Sequence, residues 1–395
     1  FVHVWLPGRV EPVVCGRAFE VEGELHFVYG RSYLARPTAI PLDPRELRLS
    51  EEVHRPRRDR VHGVLRDASP DSWGRRVIES RRGTGALSEI EYLLSAGRDR
   101  VGALAVAEET VLPAEDEAGV ALDALLEAAR RVELGLPLPP SLELALLHAS
   151  SLGGARPKAL LDSGDRRWIA KFASTSDTYP VVRAEFAAMQ LARDVGLFVP
   201  ETQLVQSLGK DVLLVERFDR VPVGAAWGRR MLVSALTALQ LAESEARLAS
   251  YLDLAGFLRK SARAAGADCR ELYRRMVFNL LIGNTDDHAR NHAFFWDGEA
   301  YELTPAYDLC PMLRSGRTAA QAMIVGREGR RSSLSNARSE AGRFGLDEVE
   351  AGDLIEALVA ESRARWPDAA ERAGLTAADR ARLERETVLG PGCFE

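Results

Sequence analysis

The first 50 residues alternate aromatic and β-branched positions with glycine and proline, in "HVWLPG", "AFEVEGELHFVYG" and "SYLARPTAIPL", and this predicts a small sheet. The period then changes. "SPDSWGRRVIESRR" (69–82) opens on Ser-Pro-Asp and continues with apolar and charged positions at helical spacing, as a capped helix does. "RDRVGALAVAEE" (98–109) predicts a strand, and "VALDALLEAARRVEL" (120–134) a helix with one apolar stripe. "GLPLPP" (135–140) breaks the pattern and marks a candidate domain boundary.

A second β-rich block follows. "KALLDSGDRRWIAKFAS" (158–174) reads as two strands around Ser-Gly-Asp, hence a hairpin. "VVRAEFAAMQLARDVGL" (181–197) is an amphipathic helix closed by Gly196, and "ETQLVQSLGKDVLLVERFDR" (201–220) gives two more strands around Leu-Gly-Lys. Beyond 220 the period is mostly helical, interrupted by "GNTDDHARNH" (283–292), a hairpin-like "FFWDGEAYEL" and "TPAYDL". The order is a sheet-rich piece, a small β lobe carrying one helix, and a large helical lobe.

Composition narrows the function classes. A chain of 395 residues with 46% hydrophobic content has enough apolar material for two or three domains. Its 52 basic and 58 acidic residues give a net charge of −6, so no global basic field draws it to nucleic acid. The runs Arg55 to Arg60 and Arg327 to Arg331 read as solvated surface. Cys15, Cys269, Cys310 and Cys393 are far apart, without a CxxC, and read as ordinary thiols. Apolar runs fall short of a bilayer span and no leader pattern opens the chain, so a cytoplasmic location is expected. Lysine is scarce: Lys158, Lys171, Lys210 and Lys260 stand against 48 arginines. Asparagine is similarly scarce: of four in the chain, Asn279, Asn284 and Asn291 fall in or beside 283–292.

Several constellations carry chemistry. In "SSLGGARPKALL" (150–161), Gly153 and Gly154 would let the backbone approach an anion, with Arg156 and Lys158 adding positive charge, although the P-loop spacing is absent. Lys171 lies in "RRWIAKF", where alternation is read as placing it on the face opposite Ile169; a buried strand lysine is costly unless an anion meets it. Glycine loop, strand lysine and then Glu185 on the next helix follow the order used by protein kinases. Backbone groups near Glu216 to Phe218 could meet an adenine edge.

In 283–292 a phosphoryl transferase would find its parts. Asp286 would position an acceptor hydroxyl, while Asn291 and Asp308 would hold magnesium, and the five-residue offset from Asp286 to Asn291 equals that of the kinase HRDxxxxN loop. Asp287 and His288 would organise the loop. Three rival readings stay open: an HD-type phosphohydrolase through Asp287-His288, a zinc site through His288 and His292, and a polar helix cap.

On these motifs the chain resembles the HipA-type serine/threonine kinases, toxins of bacterial type II toxin–antitoxin systems. "SPDSWGRRVI" and "RVGALAV" look like the family's N-terminal domain, "SSLGGARPKALL" like its glycine-containing loop, "NTDDHARNHAF" like its catalytic segment and "TPAYDL" like its metal-binding segment. The resemblance implies an α+β, two-lobed protein-kinase-like fold with a mostly helical C-lobe, behind a small α/β N-terminal domain. The N-terminal domain would span 1–136 and the kinase domain 141–395, with its small lobe at about 141–218 and its helical lobe at about 219–395.

The same resemblance implies site roles and partners. Asp286 becomes the catalytic aspartate, Asn291 and Asp308 the Mg2+ ligands, and Lys171, with Gly153, Gly154, Arg156 and Lys158, the ATP-phosphate binders. Glu216 and Phe218 would sit at the adenine hinge, and Ser151 would be autophosphorylated, silencing the enzyme by expelling its loop. Partners implied are a helix-turn-helix, HipB-like antitoxin, operator DNA reached only through it, and a translation protein such as an aminoacyl-tRNA synthetase as acceptor. A small-molecule phosphotransferase of the aminoglycoside-kinase type and a catalytically weak kinase-fold scaffold are the alternatives.

Overall fold

The computed structural model describes residues 1–83, 85–112, 121–139, 142, 156–314, 316 and 318–395. It divides into two compact units: one of 1–175, 205–233 and 295–299, the other of 176–204, 234–294 and 300–395. Ser151, Gly153 and Gly154 lie outside the described residues. No helix among the described residues is long and apolar enough to cross a membrane.

The first unit begins with an antiparallel sheet of β1 (Val2–Val4), β2 (Val13–Val21), β3 (Glu24–Tyr29) and β4 (Leu104–Val106), in the order β3-β2-β1-β4. β2 and β3 join through Glu22-Gly23, both at positive φ, which suits a two-residue turn to the twist of the strands. Two expectations fail here. "SYLARPTAIPL" forms a helical turn, Arg31–Leu34, followed by loop, because Pro37 and Pro41 lack the N–H that a ladder needs. The strand read over 98–109 shrinks to Leu104–Val106, because the chain turns at Gly102 (φ +78) and the residues before it enter a charged network.

The helix read over 69–82 forms from Ser72 to Arg82, with the Asp71 carboxylate accepting from Gly74 N at 2.8 Å and Gly83 ending it at φ +63. Trp73 and Val77 on its inner face, with Leu125, Ala128, Ala129 and Val132 of helix Leu122–Glu133, pack on one face of a second sheet. That sheet holds β5 (Lys158–Asp162), β6 (Arg167–Phe172), β7 (Thr202–Ser207) and β8 (Lys210–Glu216) in the order β5-β6-β8-β7; of β7, residues 205–207 belong to this unit. Ala159, Trp168, Ala170, Phe172, Val212 and Leu214 supply its packed face. Each larger apolar side chain so buried stabilises by about 1.5–3 kcal/mol. The "GLPLPP" breaker therefore separates two stretches of chain that share one core.

A hairpin of Arg220–Val223 and Ala226–Arg229 follows, where the sequence suggested helix. Its strands are short, half-exposed and interrupted by Pro222, so they carry too little alternation to be read.

The second unit is helical. Val181–Asp194 packs against Glu348–Arg372, which also packs on Ala265–Ile282; Tyr251–Ser261 lies along the latter. Asp347 opens the longest helix with a full capping box to Glu350.

Candidate active site

Helix Ala265–Ile282 carries apolar side chains at 272, 273, 276, 277, 280 and 281, and its last turns are wholly buried. It stops at Gly283, which takes φ +67. A Cβ there would stand 2.0 Å from Thr387 Oγ1, so glycine is required both by the backbone angle and by the space. With the helix capped by Gly283, the polar cluster beyond it is free of that duty.

That cluster is organised around Asp287, which is buried at 1% exposure. Its Oδ2 accepts from Asn279 Nδ2 at 2.7 Å and from the Tyr251 hydroxyl, and pairs with His292 Nε2 at 3.0 Å. Asn284 Nδ2 donates to Asn279 Oδ1 at 3.0 Å and to the Asp308 carbonyl at 3.2 Å. The scarce asparagines are thus the joints of the loop. The histidine partner of Asp287 is His292, whereas Nδ1 of His288 is buried without a hydrogen bond.

Next to this hub Asp286 is exposed to solvent. Asn291, on a 3-10 turn of Ala289–Asn291, donates its Nδ2 to the Asp286 carbonyl at 3.3 Å, which fixes the amide plane and leaves Oδ1 as the acceptor end. Tyr307 donates its hydroxyl to the Arg290 carbonyl at 2.7 Å, and Met312 N donates to Gly283 O at 3.2 Å, so the "TPAYDL" segment is sewn to the 283–292 loop. Asp308 itself sits at φ +61, a left-handed conformation uncommon for a residue with a Cβ.

These donors fit a hard cation. The Asp308 carboxylate and the Asn291 amide oxygen are oxygen ligands of the kind that Mg2+ takes, with phosphate and water completing its octahedron. Asp287 is spent on three partners, His292 Nε2 among them, which takes from the phosphohydrolase reading the aspartate it needs. Among the described residues no cluster of three or more His, Cys, Asp or Glu could hold a metal; that bears on the phosphohydrolase and zinc readings, since the magnesium set counts an asparagine.

In the first unit, β6 shows a strict buried and half-buried alternation. Lys171 lies on the same face as Ile169, not opposite to it, because residues two apart in a strand share a face; Trp168, Ala170 and Phe172 fill the other. In register, Lys171 stands directly across from Lys158 on β5. Two lysines face to face repel. Asp71, 3.4 Å from Lys158 Nζ, offsets one of them. Lys158 is therefore tied to the Ser72 helix, whose Trp73 also donates to the Lys158 carbonyl at 3.1 Å. Arg156 is half-buried.

At the end of β8, Glu216 and Phe218 are half-buried, Glu216 lying 3.7 Å from Arg166 and Phe218 meeting Phe295 edge to face at 5.9 Å. Sequence reasoning missed the residues on either side of Phe218: Arg217 and Asp219 are buried and ion-paired with each other, and Arg217 also with Asp99. Charged residues alternating out of an apolar strand in "LLVERFDR" were the available signal. Glu185, on helix Val181–Asp194, is buried at 4% exposure within the second unit.

A family model of the HipA-like C-terminal domain matches residues 150–366, more than half of the chain. The chain belongs to the HipA family. The HipA N-terminal domain matches residues 3–107. Among curated relatives, the candidate kinase Y4dM of Sinorhizobium fredii is 31% identical over 274 residues, 64% of this chain and 63% of that protein, so the match spans under two thirds of it. The serine/threonine-protein kinase toxin HipA of Shewanella oneidensis is 30% identical over 183 residues, 40% of this chain and 42% of that one. Among solved structures, a chain of the Shewanella oneidensis complex of HipA, HipB and operator DNA superposes with a TM-score of 0.71 at 19% identity, covering 96% of this chain and 94% of that one. The fold is the α+β, two-lobed kinase-like fold of that family.

Proposed function

We propose that the protein is an ATP-dependent serine/threonine protein kinase of the HipA toxin type. The observation that carries this reading is the division of labour between adjacent carboxylates: Asp287 is buried with its Oδ2 bonded to three partners, while Asp286 is exposed on the same loop, as a residue that accepts a proton from a substrate hydroxyl must be. Asn291 and Asp308, joined to the same loop through Asp286 O, Tyr307 and Asn284, would hold Mg2+. When bound, the metal neutralises charge on the transferring phosphoryl group.

In the proposed reaction Asp286 orients the acceptor hydroxyl for attack on the γ-phosphorus. The P–O bond to the β-phosphate breaks and ADP leaves. Lys171 holds the phosphates through its ammonium group. Backbone groups at Glu216 to Phe218 receive the adenine edge. Glu185, Asp287 and His288 serve as supporting residues, and Gly153, Gly154 and Arg156 as the phosphate loop. Ser151 on that loop is the proposed autophosphorylation site, where nearly two added negative charges would oppose the binding of phosphates.

The domain division proposed is an N-terminal domain at 1–136 and a kinase domain at 141–395. The solved Shewanella relative is in complex with HipB and operator DNA, which supports a helix-turn-helix antitoxin as partner, with DNA reached through it. The acceptor proposed is a translation protein of the aminoacyl-tRNA synthetase class. Label transfer from γ-phosphate-labelled ATP tests the reading: label in a polypeptide is expected, and label only in small hydroxylated compounds would replace it with a small-molecule phosphotransferase.

A further inference from the structure

Between β8 and the hairpin that follows, the chain leaves its ladder. Arg217 N makes the last strand bond, to Arg167 O at 2.8 Å. From there burial alternates: Arg217, Asp219 and Arg220 are buried, whereas Glu216 and Phe218 stay half-exposed. The two buried residues flanking Phe218 reach the segment 99–102, more than a hundred positions earlier in the chain. Arg217 Nη1 donates to Asp99 Oδ2 at 2.9 Å and Nη2 to the Arg100 carbonyl at 2.9 Å. Asp219 Oδ2 accepts from Gly102 N at 2.7 Å, from Arg217 Nη2 at 2.9 Å and from Arg220 Nη1 at 2.9 Å. Arg220 returns Nη1 to the Gly102 carbonyl at 3.0 Å and Nε to Asp99 Oδ1 at 3.2 Å.

Such a network is expensive in bare stability terms. Removing several charges from water costs more than an apolar packing of the same volume would, so its presence calls for a geometric reason. Here both guanidinium groups and the Asp219 carboxylate also bond backbone atoms of the 99–102 segment, while Asp99 holds the two guanidinium groups side by side, which fixes the path of both stretches. What it fixes is residues 216–218, whose outward-facing side is the proposed adenine edge.

We infer that Asp99 is a positioning residue for the nucleotide hinge: through Arg217 and Arg220 the segment 99–102 of the N-terminal region holds residues 216–218 in the extended path that reads the adenine ring. The inference rests on the proposed ATP-binding function. It assigns to the N-terminal region a role in nucleotide affinity.

The test compares binding of Mg-ATP and of Mg-pyrophosphate, which has no adenine, to the full chain. Asp99→Asn is expected to weaken ATP about tenfold and leave pyrophosphate unchanged, since only ring recognition depends on the hinge path. Tyr29→Phe removes a buried hydroxyl outside this network, which donates to Leu47 O at 2.6 Å and accepts from Leu42 N at 2.8 Å; it is expected to lower the melting temperature without changing the ATP-to-pyrophosphate ratio. Equal losses of ATP binding in both variants, or an unchanged ratio in Asp99→Asn, would overturn the inference. Should Asp99→Asn fail to fold, hydrogen exchange of the wild-type chain decides: ATP is expected to slow exchange in 214–219 and in 98–103 together. Slowing confined to 214–219 would overturn the inference while leaving ATP binding intact. No ATP binding by the wild type would remove the underlying function instead.

Discussion

The Asp287 carboxylate accepts a hydrogen bond from the Asn279 side chain at 2.7 Å, tying the 283–292 loop back to the buried helix before it. Asp287→Ala would leave Asn279, His292 and the Tyr251 hydroxyl without their acceptor in the interior. A loss of about 2–4 kcal/mol is expected, read as a lower melting temperature and denaturant midpoint. Asp286→Ala, at an exposed position, should melt like wild type and lose phosphoryl transfer. Equal destabilisation by the two substitutions would contradict the assignment of separate duties.

Tyr307 helps to fasten the Asp308 segment by donating its hydroxyl to the Arg290 carbonyl. Tyr307→Phe keeps the ring and deletes the bond, so about 1 kcal/mol of stability should go. The rate of transfer is expected to fall about three- to tenfold, with a higher Mg2+ concentration needed for half-maximal activity. A fall in rate with unchanged Mg2+ dependence would detach Tyr307 from the metal-binding segment.

Acid should dismantle the Asp99–Asp219 network. Burial acts to raise both carboxyls, but Arg217 and Arg220 outweigh it, with Arg229 adding to the effect on Asp99; Asp219 is held at about 2 and Asp99 well below the usual carboxylate range. A folded-state value below the unfolded one, about 3.9, means stability that is complete above about pH 4 and lost as pH falls toward 2. Denaturant titrations at pH 5 and pH 3 should differ by about 1–2 kcal/mol more in the wild type than in Asp219→Asn. Parallel slopes would contradict the account.

Local patterns were legible in the sequence because their causes are local. The Asp71 cap, the hairpin from Lys158 to Phe172, Gly196 at φ +76 and the two strands around Leu208-Gly209 all follow from neighbours a few residues away. The candidate loop was legible for the same reason: Asp286, Asp287, Asn291 and His292 lie within seven positions. Its hub was less so, because Tyr251 stands 36 residues from Asp287 and only the fold brings them together. The Arg217–Asp99 pair, 118 residues apart, carries no local trace beyond an odd charge pattern. Lys171 shows the opposite failure, since its face was fixed by simple alternation and misread against Ile169.

Gly283 should tolerate no side chain. Gly283→Ala would put a Cβ against Thr387 at a left-handed backbone position, so a loss of about 2 kcal/mol or more is expected in thermal melts. Thr387→Ser keeps the hydroxyl bonded to Ile282 O and should be nearly neutral.

The central claim is ATP-dependent phosphoryl transfer onto a protein hydroxyl through Asp286. Intact and peptide mass spectrometry after incubation with Mg-ATP tests it directly, with Asp286→Ala alongside. One added phosphate on the wild type, mapped to Ser151 and absent from Asp286→Ala, is the expected result. Phosphate gained equally by both proteins, or by neither while ATP is consumed on small hydroxylated compounds, would contradict the account.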